Sequence, residues 1–202
     1  MRHVPRGPTP RIPETTLRMT TASPDPNDAA LPSLRYRSAF APGLFAGRRV
    51  WVTGGGSGIG RAVAHELASL GADVVISGRS ADKLECVAAE IGQDGGSCTW
   101  RAFDIRDEEA VKANVADVVA REGIVHALVN NAGGQFPAPL TAISKRGFEA
   151  VVANNLTGGF LMMRELFLQS FQAHGGAIVN MTADFRNGMP GMAHSGAARA
   201  GM

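Results

Sequence analysis

Tyrosine is nearly missing from this 202-residue chain: the single one, Tyr36, lies near the N-terminus. Chemistry that needs a tyrosine hydroxyl in the body of the protein is therefore excluded. Cysteine is scarce as well. Cys86 and Cys98 are too few for a disulfide framework or a zinc cluster, so no metal site is expected, and they fit a reducing, cytoplasmic setting. Lysine occurs three times, no block of like charge appears, and the net charge is +2. That balance leaves no footprint for nucleic acid. Apolar runs are short and broken by Gly or Arg, which excludes a helix long enough to cross a membrane.

Glycine is abundant: 25 residues, against a usual share of ~7%, and they are clustered. Proline is uneven, with seven of the 11 inside residues 1–32. No periodic apolar pattern survives there, so residues 1–46 read as a disordered or loosely attached arm. Arg, Ser and Thr in this arm give a faint transit-peptide pattern, opposed by its acidic residues and prolines. Met19 as the true start is an equally plain account. Within the arm, Phe40, Leu44 and Phe45 are expected to lie against the body, which occupies residues 47–202.

From residue 48 short β-rich runs alternate with helical stretches. The runs are Arg49–Thr53, Asp73–Ser77, Cys98–Phe103, His126–Val129 and Ala177–Met181. Helical patterns fill Ile59–Leu70, a stretch capped by Ser80 and running to Ile91, Asp107–Arg121, and a long region from about Lys145 to Gln172. The first has Ala62, Val63, Leu67 and Leu70 on one face. Strands alternating with helices at this spacing predict βαβ units and an α/β, doubly wound parallel sheet. Ser195 to Met202 resembles the first turns of a further helix, and the chain reads as truncated at that end, with one sheet edge left open. Trp51 and Trp100 are expected to be buried in strands, and Cys86 to be packed.

Thr53-Gly-Gly-Gly-Ser-Gly-Ile-Gly60 follows a strand and opens a helix. Gly54, Gly58 and Gly60 suit a turn that needs positive φ and close backbone approach. The exposed N–H groups and the helix N-terminus then form a pyrophosphate site. A tight turn without ligand is the plainer alternative. The second strand ends Ser77-Gly-Arg79-Ser, where an NAD site commonly carries an acid for the ribose hydroxyls. Arg79 suits a 2′-phosphate instead, with Arg61 in support. This points to NADP(H), and a solvated surface arginine is the alternative.

The sequence resembles the short-chain dehydrogenase/reductase family. Thr53-Gly-x-x-x-Gly-Ile-Gly60 and Asn130-Asn-Ala-Gly133 look like two of its signatures, at the expected order and distance. The resemblance implies cofactor contacts at Gly54, Ser57, Gly58, Ile59, Gly60, Arg79, Asp104, Ile105, Asn131, Ala132 and Gly133. It implies Asn155 as the mid-helix catalytic Asn and Thr182 near the place of the catalytic Ser. It also implies a homo-oligomer, a tetramer or dimer, in which the long helix packs on its copy. By helical spacing, Phe160-Leu-Met-Met163 and Leu166-Phe-Leu168 on this helix are core or interface.

Most members carry Tyr-x-x-x-Lys on the catalytic helix. Here the segment is His194-Ser-Gly-Ala-Ala-Arg-Ala-Gly201. The register that keeps the following Ala-Gly puts Ser195 and Arg199 at those two places, while a one-residue shift would put His194 and Ala198 there. This segment looks like that of the trans-2-enoyl-CoA and 2,4-dienoyl-CoA reductases of the family. Such chemistry explains why Tyr is dispensable. Enoyl reduction needs donors at a thioester oxygen and a proton for Cα, not an acid beside a ketone. The resemblance therefore implies an acyl-CoA-type substrate. Asp184 is a candidate proton relay or a solvated loop acid; His194 is a candidate site residue or a packed helix-start residue. The other readings are an alcohol or aldehyde dehydrogenase of the same family, acting on terpenoid or fatty alcohols, and an inactive nucleotide-binding fragment.

Overall fold

The computed structural model describes residues 38–183 and 188–202. Tyr36, Met19, most of the N-terminal arm and Asp184 lie outside the described residues.

Five strands form one parallel sheet among the described residues: β1 (Arg49–Thr53), β2 (Asp73–Gly78), β3 (Ser97–Ala102), β4 (Ala127–Asn130) and β5 (Ala177–Asn180), in the order β3-β2-β1-β4-β5. Trp51 pairs with Val75 on one side and Leu128 on the other. Alternation along each strand sends these three to one face and Val50, Val52, Val74, Ile76 and Val129 to the other. Each face is covered by helices. Trp51, Val75 and Leu128 pack with α3 (Glu108–Glu122) and α5 (Gly158–Leu166), through Val111, Val115, Val118, Leu161, Met162 and Leu166. The opposite face packs with α1 (Gly58–Ser69) and α2 (Ala81–Gln93), through Ala64, Ala68, Leu84, Val87 and Ile91. This is the doubly wound, Rossmann-like arrangement expected from the sequence.

The sequence reading of α1 differs in its phase. Gly60, Ala64 and Ala68 form the buried stripe, and Ala62 is exposed. Small residues four apart let the helix axis approach the sheet closely, so the bulkier Val63 and Leu67 flank the contact. Cys86 is exposed, because the buried face of α2 runs through Leu84, Val87 and Ile91. Trp100 is half-buried on β3, an edge strand. Of the three apolar residues before β1, Phe45 alone packs on the core, while Phe40 and Leu44 are exposed. Phe45 is anchored by its N–H, which donates to the Leu70 carbonyl at 3.0 Å.

The long helical region is real but not uniformly α. It runs as α4 (Lys145–Val152), a π-helical turn (Ala153–Thr157), α5, a second π-helical turn (Phe167–Phe171) and α6 (Gln172–His174). Leu161, Met162 and Leu166 are core, and Phe160, Phe167 and Leu168 are exposed. The last helix, α7, spans Ala193–Gly201. No helix among the described residues is long and apolar enough to cross a membrane.

Candidate active site

The carboxyl ends of β1 and β4 meet through one hydroxyl. Thr53 Oγ1, fully buried, accepts the N–H groups of Asn131 at 3.0 Å and Ala132 at 2.9 Å. Asn131 returns the contact, its Nδ2 donating to the Thr53 carbonyl at 2.9 Å. Gly54 N–H donates to the Ser77 carbonyl at 2.7 Å, which ties the turn to β2. Gly54 and Gly58 have φ of +69° and +54°, the left-handed region that glycine enters freely. Gly60 is required for a different reason. A Cβ there would press on the Gly54 carbonyl and stand 2.5 Å from Asn131 Nδ2.

These contacts shape a cleft of about 410 Å³ at the carboxyl edge of the sheet, lined by Gly54, Ser57, Ile59, Arg79, Asp104, Ile105, Asn131, Ala132 and Gly133. Nine of the residues expected to hold a cofactor thus share one wall. Gly60 is buried beneath the turn, and Gly58 lines a neighbouring groove on the other side. Ser57 starts α1 without a side-chain cap, so the first-turn N–H groups remain available to an anion. The cleft therefore fits a pyrophosphate.

Arg79 is exposed at one end of the cleft and has no ion pair among the described residues. Arg61 is not beside it: its Nε donates to Glu90 Oε2 at 2.8 Å on α2, and both line the neighbouring groove. Hydrogen bonding to Arg61 holds the Glu90 carboxyl below its ordinary range. Asp104 lines the cleft, but both its oxygens are engaged by Arg106 Nε, at 2.9 and 3.0 Å. That pairing holds its carboxyl below the usual carboxylate range. Ser80 stands at the start of α2 with no side-chain cap bond, contrary to the capping expected for it. Its residue faces the cleft together with Lys83. The sequence reading did not single out Lys83, because nothing in its local pattern distinguishes it from a solvated helix lysine.

The other end is built on α7 and the first π turn. Asn155, buried inside that turn, donates from Nδ2 to the Gly134 carbonyl at 2.6 Å and to the Val151 carbonyl at 2.8 Å. Gly134 N–H donates back to its Oδ1 at 3.2 Å. Arg199 donates to the Met181 carbonyl, and its guanidinium lies where a Cβ on Gly133 would be, beside Asn155 Oδ1. It has no carboxylate partner among the described residues, and burial pulls its pKa down. Arg199, Asn155 and Gly133 are therefore brought together.

Ser195 and Thr182 are not. Ser195 is fully buried, with its hydroxyl donated to Gln135 Oε1 in the loop after β4. Thr182 is exposed just beyond β5 and does not line the cleft. Next to Ser195, the His194 ring stands edge-to-face with Phe136 at 4.5 Å. Its Nδ1 accepts the Ser195 N–H at 2.9 Å, and its Nε2 is buried without a partner. The backbone bond from Ala138 N–H to the Gly191 carbonyl, 2.7 Å, completes the junction between this loop and the segment before α7. Gln135 and Phe136 lie in the loop after β4, at the carboxyl edge of the sheet where ligands bind.

A Rossmann-like sheet with a glycine turn, a cleft at its switch point and an Asn–Arg pair at the far end defines a class of nucleotide-dependent α/β enzyme domains. The particular family follows from the sequence as a whole. Residues 48–202 match the short chain dehydrogenase family, and the chain belongs to it. A peroxisomal 2,4-dienoyl-CoA reductase from Danio rerio is 33% identical over 168 residues, covering 82% of this chain and 56% of that protein. The chain thus spans little more than half the length of that relative. A solved structure described as a citronellol catabolism dehydrogenase from Pseudomonas aeruginosa PAO1 is 62% identical with a TM-score of 0.80, covering 83% of this chain and 69% of the other. A metagenomic short-chain oxidoreductase solved in complex with NADP is 34% identical with a TM-score of 0.73, covering 78% and 72%.

Proposed function

We propose that this chain carries the nucleotide-binding and part of the catalytic region of an NADP(H)-dependent oxidoreductase that reduces the C=C bond of a 2-enoyl- or 2,4-dienoyl-CoA thioester. The carrying observation is the Arg199 guanidinium, which meets Gly133 and Asn155; in the register that keeps the following Ala-Gly, Ser195 and Arg199 would take the places of the family's Tyr and Lys. The identity to a 2,4-dienoyl-CoA reductase supports the same reading.

The cleft residues fit the cofactor. Gly54, Ser57 and Ile59 would flank its pyrophosphate, Asn131 to Gly133 its central part, and Asp104 and Ile105 its adenine. Arg79 suits a 2′-phosphate. When bound, the dihydronicotinamide supplies a hydride. Asn155 fixes the loop after β4 by bonding both backbone groups of Gly134, which sets the wall against which the substrate lies. Arg199 places a positive charge beside Gly133, where the family resemblance puts the cation that holds the nicotinamide ribose. Ser195 orients Gln135 and so reaches the substrate side through that amide.

A second reading, oxidation of a terpenoid or fatty alcohol, is favoured by the 62% identity to the citronellol catabolism dehydrogenase. The exposed Phe160, Phe167 and Leu168 on the long helix support a homo-oligomer. The two cysteines, both free, suit a cytoplasmic setting. Spectrophotometry separates the two chemistries. NADPH consumption with a 2-enoyl- or 2,4-dienoyl-CoA, without NADP⁺ reduction by citronellol, supports the first. Turnover of citronellol with no enoyl or dienoyl thioester consumed overturns it.

A further inference from the structure

Lys83 is one of three lysines in the chain. It sits in the first turn of α2 and lines the same end of the cleft as Arg79 and Ser80. The base of its side chain lies close to the phosphate turn. A Cβ added to Gly56, in the phosphate turn, would stand 3.2 Å from Lys83 Cβ and 3.4 Å from Leu84 Cδ2. The lysine therefore rises directly beside the turn, between the cleft and the neighbouring groove, both of which it lines.

The charges around it are already sorted. Arg61 is spent on Glu90, and Arg106 is spent on Asp104. Asp82 borders the neighbouring groove and not the cleft. Arg79 and Lys83 remain as cations with no ion pair among the described residues. Beside them α2 begins without a side-chain cap, so its first N–H groups add positive potential at the same point. A phosphate monoester carries about −1.5 to −2 charges at neutral pH, and a single arginine leaves part of that charge unmatched.

We propose that Lys83 is a specificity-determining residue, which with Arg79 and the start of α2 selects a ribose 2′-phosphate and hence NADP(H) over NAD(H). This rests on the cofactor reading given above. The division of labour follows from the side chains. Arg79 supplies planar, bidentate hydrogen bonding. Lys83 supplies a mobile point charge, so its share weakens with added salt.

The test is a calorimetric titration of the ligand-free protein with adenosine 2′,5′-bisphosphate and with adenosine 5′-monophosphate, on the unaltered chain, Lys83→Met and Lys83→Arg. The melting temperature of each variant controls for folding, since Lys83 is exposed. The unaltered chain is expected to prefer the bisphosphate. Lys83→Met is expected to lose bisphosphate affinity about tenfold, to keep monophosphate affinity within about twofold, and to show a shallower salt dependence; Lys83→Arg restores most of the loss. Bisphosphate binding that is unchanged in Lys83→Met, with a preference for the bisphosphate retained, overturns the role of Lys83 and leaves the cofactor reading standing. No preference for the bisphosphate in the unaltered chain overturns the cofactor reading itself, and the Lys83 proposal with it.

Discussion

Thr53 accepts the backbone N–H of Ala132 at 2.9 Å while it also accepts that of Asn131. One hydroxyl thus joins the glycine turn after β1 to the strand end that carries the Asn-Asn-Ala-Gly motif. Thr53→Val should strand both amides and lower stability by about 1–3 kcal/mol, whereas Thr53→Ser should keep most of it. Urea denaturation midpoints measure this, and equal midpoints for Val and Ser would show that the hydroxyl is energetically idle.

Gly60→Ala forces a methyl group onto the Gly54 carbonyl and Asn131 Nδ2. The first is backbone and the second is hydrogen-bonded to the Thr53 carbonyl, so the turn itself must move. A stability loss of about 1–3 kcal/mol is expected, together with weaker binding of adenosine 2′,5′-bisphosphate. An unshifted melting temperature with unchanged binding would contradict the close approach.

Arg199→Met removes the cation beside Gly133 and Asn155. Turnover should fall by roughly 10² or more, in line with the loss of a preorganised electrostatic group. The melting temperature should hold or rise, because burial already disfavours this charge and no carboxylate among the described residues balances it. A variant that loses stability along with activity would make Arg199 a structural residue.

The two thiols should react differently. Cys86 is exposed, whereas burial, reinforced by Glu122, pushes the Cys98 thiol up to about 12. The thiolate is the reactive form, so near pH 8 a maleimide should label Cys86 at least about 100-fold faster than Cys98. Mass spectrometry of the labelled peptides reads the ratio directly, and comparable rates would contradict the burial of Cys98.

Asp104 lends stability through its depressed pKa. The carboxylate is held by Arg106, so the contribution is fully present above the ordinary Asp value of about 3.9 and fades as pH falls through the folded value. Asp104→Asn should therefore be less stable than the unaltered chain at pH 7. The two should converge on acidification below about pH 4. A gap that persists undiminished at low pH would point to packing and not to the ion pair.

The sheet was legible because β-rich runs alternate with helical stretches at βαβ spacing, and the observed bounds differ from those expected by a residue or so. The shared cleft wall was legible because strand ends fix where Gly54, Arg79, Asp104 and Asn131 must stand. Side-chain partners were not. Arg61 meets Glu90 across 29 positions, and Ser195 meets Gln135 across 60; neither pairing leaves a trace in local spacing. The exposed Ala62 shows the limit of apolarity as a guide, since α1 buries its smallest residues to bring its axis close to the sheet. Lys83 was missed because only the fold carries the first turn of α2 alongside Gly56.

The π-helical turn around Asn155 amounts to one residue more than an α-helix would use over the same rise. A helical wheel drawn from Lys145 onward therefore loses phase by about 100° on passing it, and again at Phe167–Phe171. Removing a single residue from Ala153–Thr157 would return the helix to ordinary α geometry, yet would swing Asn155 away from Gly134. The helix carries an extra residue that serves the neighbouring loop as well as the helix itself, and related sequences should be aligned with that residue kept in register.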